Sequence, residues 1–261
     1  ASEGGTASAG SARPSLHDYF ELFRTPTFLY NTAGMAAVTF ATGAYAAWGS
    51  TFYQRVHGLS ATDAGKWIGL LLVVAGLTGI VLGMFLPDIL LKFTKRAYLL
   101  LAALAVLGAV PLGAIGILDP EYRSSLAFLF FASVLMSMVL GPCNTVTSFV
   151  VPANRRAAGY ALFIFLIHLF GDISSPIILG GISDLFGKPS VVDSSIGKFF
   201  ASIGASPVGG TNLTVAMLAV VPVLAMGFVF FLIGSGYLAR DQERARGAGG
   251  IESEDLAQFH H

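Results

Sequence analysis

The sequence has few charged residues and one cysteine. Charged side chains make up 11% of the 261 residues, the basic and acidic residues balance at 15 each, and Cys143 is the one cysteine. A balanced charge gives no support for a nucleic-acid partner. A lone cysteine excludes an internal disulfide and a cysteine-based metal cluster. The sequence therefore predicts no metal site and no cofactor.

Apolar residues dominate instead. Hydrophobic residues make up 54% of the chain, and 21 of them are phenylalanines. A soluble domain of this length does not have such a composition, so the chain is predicted to be an all-α polytopic membrane protein. Six apolar stretches approach or exceed the roughly 20 residues that a helix needs to cross a bilayer. They are Phe28–Tyr53, Ala64–Leu86, Ala97–Leu118, Ser125–Val151, Ala157–Gly181 and Asn212–Ala239.

The positive charges between these spans predict their orientation. Ten lysines and arginines fall on one side: Arg13, Arg24, Lys92, Lys95, Arg96, Arg155, Arg156, Arg240, Arg244 and Arg246. Five fall on the other: Arg55, Lys66, Arg123, Lys188 and Lys198. Because cytoplasmic loops carry the excess of basic residues, both ends of this chain are predicted to be cytoplasmic.

Three regions are expected along the chain. Residues 1–26 are interpreted as a cytoplasmic linker of small polar residues without signal-peptide features, ending in a short amphipathic helix over Leu16–Phe23 with Ser15 as its cap. Residues 27–239 form the six-helix bundle. Residues 240–261 form a cytoplasmic tail whose last residues, Phe259–His261, are interpreted as a purification-tag remnant.

The most informative stretch is Ile164–Gly181, IFLIHLFGDISSPIILGG. At about 100° per residue, His168, Asp172 and Ser175 fall on one narrow face of a helix. A charged group in the middle of a bilayer costs roughly 2.5–3.5 kcal/mol on insertion scales, so this face must contact protein or water. The pair is either part of a transport pathway or a structural pair that anchors neighbouring helices, and Pro176 directly after it permits bending.

Two other spans have polar faces. The first carries Thr39, Thr42, Tyr45 and Trp48, and the fourth carries Ser133, Ser137, Asn144 and Ser148 within one narrow sector. Such a sector lines a cavity or packs against another helix, and both readings stand. The third and sixth spans have almost no polar side chains and are predicted to face lipid.

Asp88 lies at the end of the second span, before a basic loop that includes Lys92, Lys95 and Arg96. An acid in this position can form a latch with basic side chains or with a helix N-terminus. The alternative is that the loop charges only set the topology.

These features resemble the C-terminal half of a major facilitator superfamily transporter. The spans alternate as polar, polar, apolar, polar, polar, apolar, and the loop at Gly83–Arg96 is a degenerate form of the superfamily's G-x-x-x-x-D signature, with an extra residue and a proline. More narrowly, the fourth and fifth spans resemble the Spinster branch. They contain P-x-x-R-x-x-A from Pro152, H-x-x-x-D-x-x-S-P from His168 and G-x-I-S-D ending at Asp184.

The resemblance implies that the chain holds the last six of twelve transmembrane helices of a bacterial homologue in the inner (plasma) membrane. It implies a secondary active transporter, not an enzyme, that moves an amphipathic, lipid-like solute of the lysolipid or sphingoid phosphate class by rocker-switch alternating access. Its expected partners are an N-terminal six-helix half, membrane lipid, the amphipathic substrate and, as a candidate coupling ion, protons.

The candidate site residues fall into two groups. The substrate-cavity candidates are Thr42, Tyr45, Trp48, Ser137, Asn144, Ser148, Phe149, Phe165 and His168. The candidates for coupling or conformational change are His168, Asp172, Ser175, Pro176, Asp88 and Arg96. Two rival interpretations remain: a structural membrane subunit without transport activity, and an intramembrane enzyme that uses His168 and Asp172. The second lacks a third ligand or a nucleophile in the sequence.

Overall fold

The protein is a bundle of α-helices. A computed structural model describes residues 21–258, with side chains for residues 21–247. The predicted amphipathic helix lies largely outside the described residues, of which Glu21–Phe23 are helical. The helices that follow are α1 (Pro26–Arg55), α2 (Ala61–Leu91), α3 (Ala97–Leu118), α4 (Tyr122–Met138), α5 (Leu140–Val150), α6 (Arg156–Phe170), α7 (Ser175–Gly187), α8 (Pro189–Val192), α9 (Ser195–Ser202), α10 (Leu213–Leu218) and α11 (Val220–Gln258).

These helices build the six predicted spans. Spans one, two and three are α1, α2 and α3; span four is α4 with α5, span five is α6 with α7, and span six is α10 with α11. By length and composition, five segments can cross a membrane: Ala61–Leu91, Ala97–Leu118, Tyr122–Val150, Ala153–Gly187 and Leu213–Gly247. Span one is 30 residues long but more polar. Its position explains the polarity, since more than half of its residues are buried among the other helices.

Prolines divide two spans that the sequence predicts as continuous. Pro142 has no N–H to donate to the carbonyl of Met138, and α4 ends at Met138. In the same way, Pro222 cannot donate to the carbonyl of Leu218, and α10 ends there. The span boundaries are otherwise close to the predicted ones, although α11 continues without interruption beyond Ala239 to Gln258.

The N-terminus of span one is capped by a side chain of span six. Its N-cap residue Thr25 makes no side-chain cap. Instead, the backbone N–H of Thr27 donates to the Asp241 carboxylate at 3.0 Å. The Asp241 side chain is fully buried and also accepts from Arg240 Nε at 3.3 Å. An anion at a helix N-terminus is stabilised by the free N–H groups and the helix dipole, so Asp241 fixes spans one and six together.

Spans two and four cross with their backbones in direct contact. A Cβ placed on Gly79 would collide with the carbonyl oxygen of Val134, and one on Gly83 would collide with that of Met138. Met138 O is the carbonyl that Pro142 leaves without its helical partner. Pro87 likewise cannot donate to Gly83 O, which lies 3.3 Å from a Cβ built on Gly141. At Gly83 and Gly141, therefore, a glycine sits where a carbonyl freed by a proline meets the facing helix.

Spans two and five are the least enclosed. Only 28% of the most apolar stretch of each is buried, against 50% for spans three and four. Span three, predicted to face lipid, is exposed along one stripe that includes Leu104, Leu107 and Ile115. Its other face packs on spans four and six through small residues such as Ala102, Ala105 and Ala109. Span six, also predicted to face lipid, follows spans two and five with 33% of its most apolar stretch buried.

Candidate functional site: the break in the fifth span

Span five is interrupted at its middle. Helix α6 ends at Phe170 and α7 begins at Ser175. Between them, the Ile173 N–H donates to the carbonyl of His168, five residues back, at 3.1 Å. Pro176 has no N–H for the carbonyl of Asp172. The predicted bend is therefore a break of about one turn, and it lies within the stretch that carries the ionisable pair.

His168 and Asp172 contact each other across this break. His168 Nδ1 lies 2.9 Å from Asp172 Oδ1 and 3.0 Å from Oδ2. Their side chains are 48% and 41% exposed, so the pair is open on the surface of the described chain. The exposed side chains around it are apolar, notably Phe165, Phe170 and Ile173. An ion pair in the middle of an apolar membrane span needs a protein or aqueous neighbour on that side.

Span one packs against the break at a glycine. A Cβ on Gly43 would lie 2.6 Å from Asp172 Cβ and 2.8 Å from Ser175 Oγ. One turn earlier in span one, Thr39 Oγ1 donates to the carbonyl of Ile167 at 2.7 Å, and Gly171 lies directly against Thr39. Ser175 Oγ is fully buried and has no hydrogen-bond partner among the described residues. The close contact leaves no room for a side chain between span one and Asp172.

Trp48 contacts the other side of the break. Its indole Nε1–H donates to the carbonyl of Pro176 at 3.1 Å, and its ring lies 3.3 Å from a Cβ built on Gly180. Thr42, the residue directly before Gly43, is half-buried and donates to the carbonyl of Thr39 in its own helix. Of these two candidates, Trp48 therefore contacts the broken region of span five directly.

Other substrate-cavity candidates lie elsewhere. Tyr45 is only 4% exposed and points at span three, where its hydroxyl lies 3.1 Å from a Cβ built on Gly113. This hydroxyl has no hydrogen-bond partner among the described residues. Phe165 is on the exposed face of α6, on the same side as His168. Tyr45 is therefore not available to a solute in this conformation, whereas Phe165 is.

The polar sector predicted in span four is divided by the proline break. Ser137 lies at the end of α4 against Gly79. Asn144 and Ser148 are in α5, where the carbonyl of Asn144 accepts from Tyr160 at 2.7 Å and Ser148 Oγ donates to the carbonyl of Thr145 at 2.7 Å. Phe149 lies at the end of α5 with its ring edge-on to Tyr98. Of the three polar residues, Ser137 packs directly on span two, as expected if part of the sector serves helix packing.

Asp88 and Arg96 do not pair. Both side chains are exposed, and neither forms an ion pair within the described part of the chain. The backbone N–H of Arg96 donates to Thr94 Oγ1 at 3.2 Å. A cytoplasmic latch at this loop stays a prediction. An ion pair that the sequence did not predict joins Arg155, in the loop after α5, to Glu21.

A buried contact between spans one and four was not predicted from the sequence. Asn31 Nδ2 donates to the carbonyl of Cys143 at 3.0 Å and to Thr147 Oγ1 at 3.1 Å, and all three residues are buried. The signal for it was present, since an asparagine in an apolar span needs polar partners. Its partners lie more than 100 positions away, so only the packing identifies them.

Two apolar cavities flank this core. A cavity of about 280 Å³ lies between spans one and five and is bounded by Phe28, Leu166 and Phe170. A larger one of about 530 Å³ lies between spans two and four, where Trp67, Leu71 and Phe130 line it beside Arg123. Among the described residues no cluster of three or more histidine, cysteine, aspartate or glutamate side chains is placed to hold a metal ion.

His57, in the loop between spans one and two, is predicted to make the fold sensitive to acid. Burial lowers the pKa of His57 below its ordinary 6.5, although the Pro120 carbonyl, Asp119 and Glu121 act in the opposite direction. Its ring stacks on Tyr53, and its Nε2 is buried without a partner among the described residues. Because the unfolded chain then takes up a proton before the folded one, stability falls as the pH drops below about 6.5.

We expect the midpoint of thermal unfolding in detergent to fall between about pH 7 and about pH 5 for the wild type, and to fall less for His57→Phe, which keeps the ring stacking. His57→Gln serves as a second variant that cannot titrate. An equal acid response in the wild type and both variants would assign the effect to other groups.

The family follows from comparison with known proteins. The sequence matches the model of the Major Facilitator Superfamily over residues 2–176, which is more than half of the chain. The chain belongs to the major facilitator superfamily. This confirms the predicted family and the all-α membrane fold. The superfamily is one of transporters, and the chain is not an enzyme.

The relatives are Spinster proteins. The chain is 27% identical to Protein spinster homolog 1 of Xenopus tropicalis over 87% of its length, and 28% identical to Protein spinster homolog 3 of Danio rerio over 92%. These matches cover 44% and 49% of the two relatives. The chain therefore spans about half the length of the curated relatives that it matches, and corresponds to one six-helix half of a Spinster-type protein, the C-terminal one.

Solved structures show the same fold. A bacterial homologue of the human lysosomal transporter Spinster, in an inward-facing and unoccupied conformation, superposes with a TM-score of 0.72 at 21% identity, over 92% of this chain and 53% of that one. The inward-facing and occupied conformation gives a TM-score of 0.60 at 23% identity, over 85% and 50% of the two chains. This similarity extends along nearly all of the chain.

Proposed function

We propose that the chain is the C-terminal half of a secondary active transporter that moves an amphipathic, lipid-like solute across the membrane by rocker-switch alternating access. The observation that carries this proposal is the His168–Asp172 pair. It lies at the middle of a membrane span, beside a helix break, and its side chains are 48% and 41% exposed. In transporters, discontinuous helices near the bilayer midplane commonly form substrate and coupling sites.

The exposed faces of spans two and five support a missing partner half. Both are mostly unburied and apolar, and span five exposes the ionisable pair as well. Lipid solvates the apolar residues but not the pair. An N-terminal six-helix half that covers these faces would enclose the pair at the interface between the halves, where alternating access opens a site to each side in turn.

The surroundings of the pair suit an amphipathic solute of the lysolipid or sphingoid phosphate class. Phe165, Phe170 and the apolar cavity between spans one and five offer surface for a hydrocarbon chain. His168, when protonated, offers a cation for a headgroup phosphate or carboxylate. Trp48 of span one contacts Pro176 at the other side of the break. The sequence resemblance to the Spinster branch implies the same class of solute.

Protons are the proposed coupling ion. His168 and Asp172 hold two groups that can bind protons within 3.0 Å of each other, in the middle of a membrane span. The break between Gly171 and Ser174 gives the pair a place to move, since helix α7 can change its angle to α6 there. Loading and release of a proton at this pair would then follow the rocking of the halves.

The proposal for which side of the membrane each loop lies on rests on the ten-to-five division of basic residues. We expect a cysteine in place of Lys95 to react with a membrane-impermeant thiol reagent only from the cytoplasm, and one in place of Lys188 only from outside. In a bacterium this places the chain in the inner membrane. Reaction of the Lys95 position in intact cells would reverse the assigned orientation.

A structural membrane subunit is the rival candidate. It accounts for the Asn31 contacts and for the packing of Ser137, but it gives no reason for an exposed ion pair beside a broken helix. Uptake separates the two interpretations.

The test uses the full two-half protein in liposomes with an imposed pH gradient. We expect accumulation of single-chain anionic amphiphiles above that in protein-free liposomes, and its loss when a protonophore collapses the gradient. Residues 1–261 alone, reconstituted at the same density, serve as the control and should show no accumulation. No accumulation of any lysolipid, sphingoid phosphate or related amphiphile by the full protein would favour the structural subunit.

A further inference from the structure

A third cavity, partly polar, lies where span five begins, at the opposite end of α6 from the break. It has a volume of about 250 Å³ and is lined by Phe149, Val151, Ala153, Arg156, Ala245 and Arg246. These residues come from the end of span four, the loop and first turn of span five, and the extension of span six. We call it the arginine pocket.

The two arginines have no acidic partner among the side chains that the structure describes. Neither Arg156 nor Arg246 forms an ion pair with any residue in the part of the chain that has described side chains. The neighbouring Arg155, in contrast, pairs with Glu21. Two uncompensated guanidinium groups in one cavity attract an anion, and their planar forks match the oxygens of a phosphate group. The first turn of α6, which begins at Arg156, adds the positive end of its dipole to the same field.

The depth of the pocket matches the headgroup layer of a bilayer. Asp241 caps the first turn of span one, so residue 241 marks the level at which that span begins. A helix rises 1.5 Å per residue, which places Arg246 about 7.5 Å farther along α11. The polar layer on each side of the hydrocarbon core is about 5–8 Å thick. The guanidinium of Arg246 therefore lies near the level of phospholipid phosphates.

The walls of the pocket also suit a lipid. Phe149 is 37% exposed, and its ring contacts Tyr98, which follows the basic loop that ends at Arg96. An aromatic ring beside basic side chains at the membrane surface accommodates both the upper acyl chain and the headgroup. A small soluble anion would use the arginines but not Phe149.

We propose that the arginine pocket binds the phosphate of an anionic phospholipid from the adjoining leaflet, with Arg156 and Arg246 contacting the phosphate oxygens and Phe149 the upper part of an acyl chain. This lipid joins the loop between spans four and five to the extension of span six. The pocket contains neither His168 nor Asp172, so binding of this lipid does not depend on the proposed transport activity.

Native mass spectrometry of the full two-half protein tests this proposal. Phosphatidylglycerol and phosphatidylcholine with identical acyl chains are titrated separately. We expect the wild type to bind phosphatidylglycerol more tightly, and the double variant Arg156→Gln/Arg246→Gln to bind it about tenfold or more weakly, with phosphatidylcholine unchanged. Arg244→Gln, which removes a charge from the same helix outside the pocket, should bind as the wild type does.

Ala245→Leu fills the pocket without changing its charge and should also weaken phosphatidylglycerol binding. An unchanged unfolding temperature in lipid-free detergent confirms that each variant is folded. Equal phosphatidylglycerol binding by the wild type, the double variant and Ala245→Leu would overturn the proposal. Equal affinity of the wild type for the two lipids, or displacement of phosphatidylglycerol by millimolar inorganic phosphate, would overturn the assignment to a lipid.

Discussion

Replacing Asp172 by asparagine is expected to abolish gradient-driven accumulation of the solute while leaving the protein folded. Asparagine keeps the shape of the side chain and its hydrogen bond to His168, but it cannot carry a proton. The Asp172 side chain is partly exposed and makes its one described ion pair with His168, so its loss leaves no other buried charge unpaired. Accumulation should fall to the level of protein-free liposomes.

Exchange of solute across the membrane without a gradient separates coupling from folding. If Asp172 carries the coupling proton, Asp172→Asn should still exchange labelled for unlabelled solute. His168→Ala removes the described partner of the Asp172 carboxylate and should therefore change the pH dependence of uptake. Asp184→Asn, at the exposed outer end of the same span, is the matched control and should transport normally. Normal, pH-dependent accumulation by Asp172→Asn at wild-type expression would return the pair to a purely structural role.

Replacing both Gly79 and Gly83 by alanine is expected to lower the thermal stability of the bundle strongly. A methyl group at either position collides with a backbone carbonyl of span four, and a backbone cannot move aside as a flexible side chain does. Overpacking of a tight contact costs about 1–3 kcal/mol at each site. The double variant should therefore unfold several degrees below the wild type when thermal unfolding is followed in detergent.

Gly76 supplies the matched control on the same helix. A Cβ at Gly76 meets no atom within 4 Å, so Gly76→Ala removes a flexible glycine without a collision. Alanine in a helix interior is favoured over glycine by roughly 0.5–1 kcal/mol, so this variant should be as stable as the wild type or slightly more. A double variant at Gly79 and Gly83 that unfolds at the wild-type temperature would contradict the close backbone crossing of spans two and four.

The fold was largely predictable because its main determinant is local. A bilayer helix needs a long apolar stretch, and such stretches are visible in the sequence. The bounds of span three agree at both ends, and those of spans one and two lie within a few residues at each end. The breaks at Met138 and Leu218 also have a local cause, the missing N–H four residues later. They were missed because prolines in membrane helices often bend a helix without interrupting it.

In the candidate site, the sequence predicts only contacts between residues of the same helix. The contact of His168 with Asp172 follows from i, i+4 spacing. The contact of Gly43 with Asp172 does not, because the register between two helices depends on all the side chains along their interface. Tyr45 illustrates the same limit, since its place in a polar stripe suggested a cavity, whereas packing directs it at Gly113. The Thr27–Asp241 contact joins residues 214 positions apart.

Because Trp48 donates a hydrogen bond to the Pro176 carbonyl, its fluorescence can report on the break in span five. The chain has two tryptophans, and the other, Trp67, lies in the cavity between spans two and four. With Trp67 replaced by phenylalanine, Trp48 becomes the one indole emitter in this half of the protein. Its emission wavelength then reports the polarity and hydrogen bonding at Pro176. Movement of α7 away from span one would be recorded as a spectral shift in real time, without an attached dye.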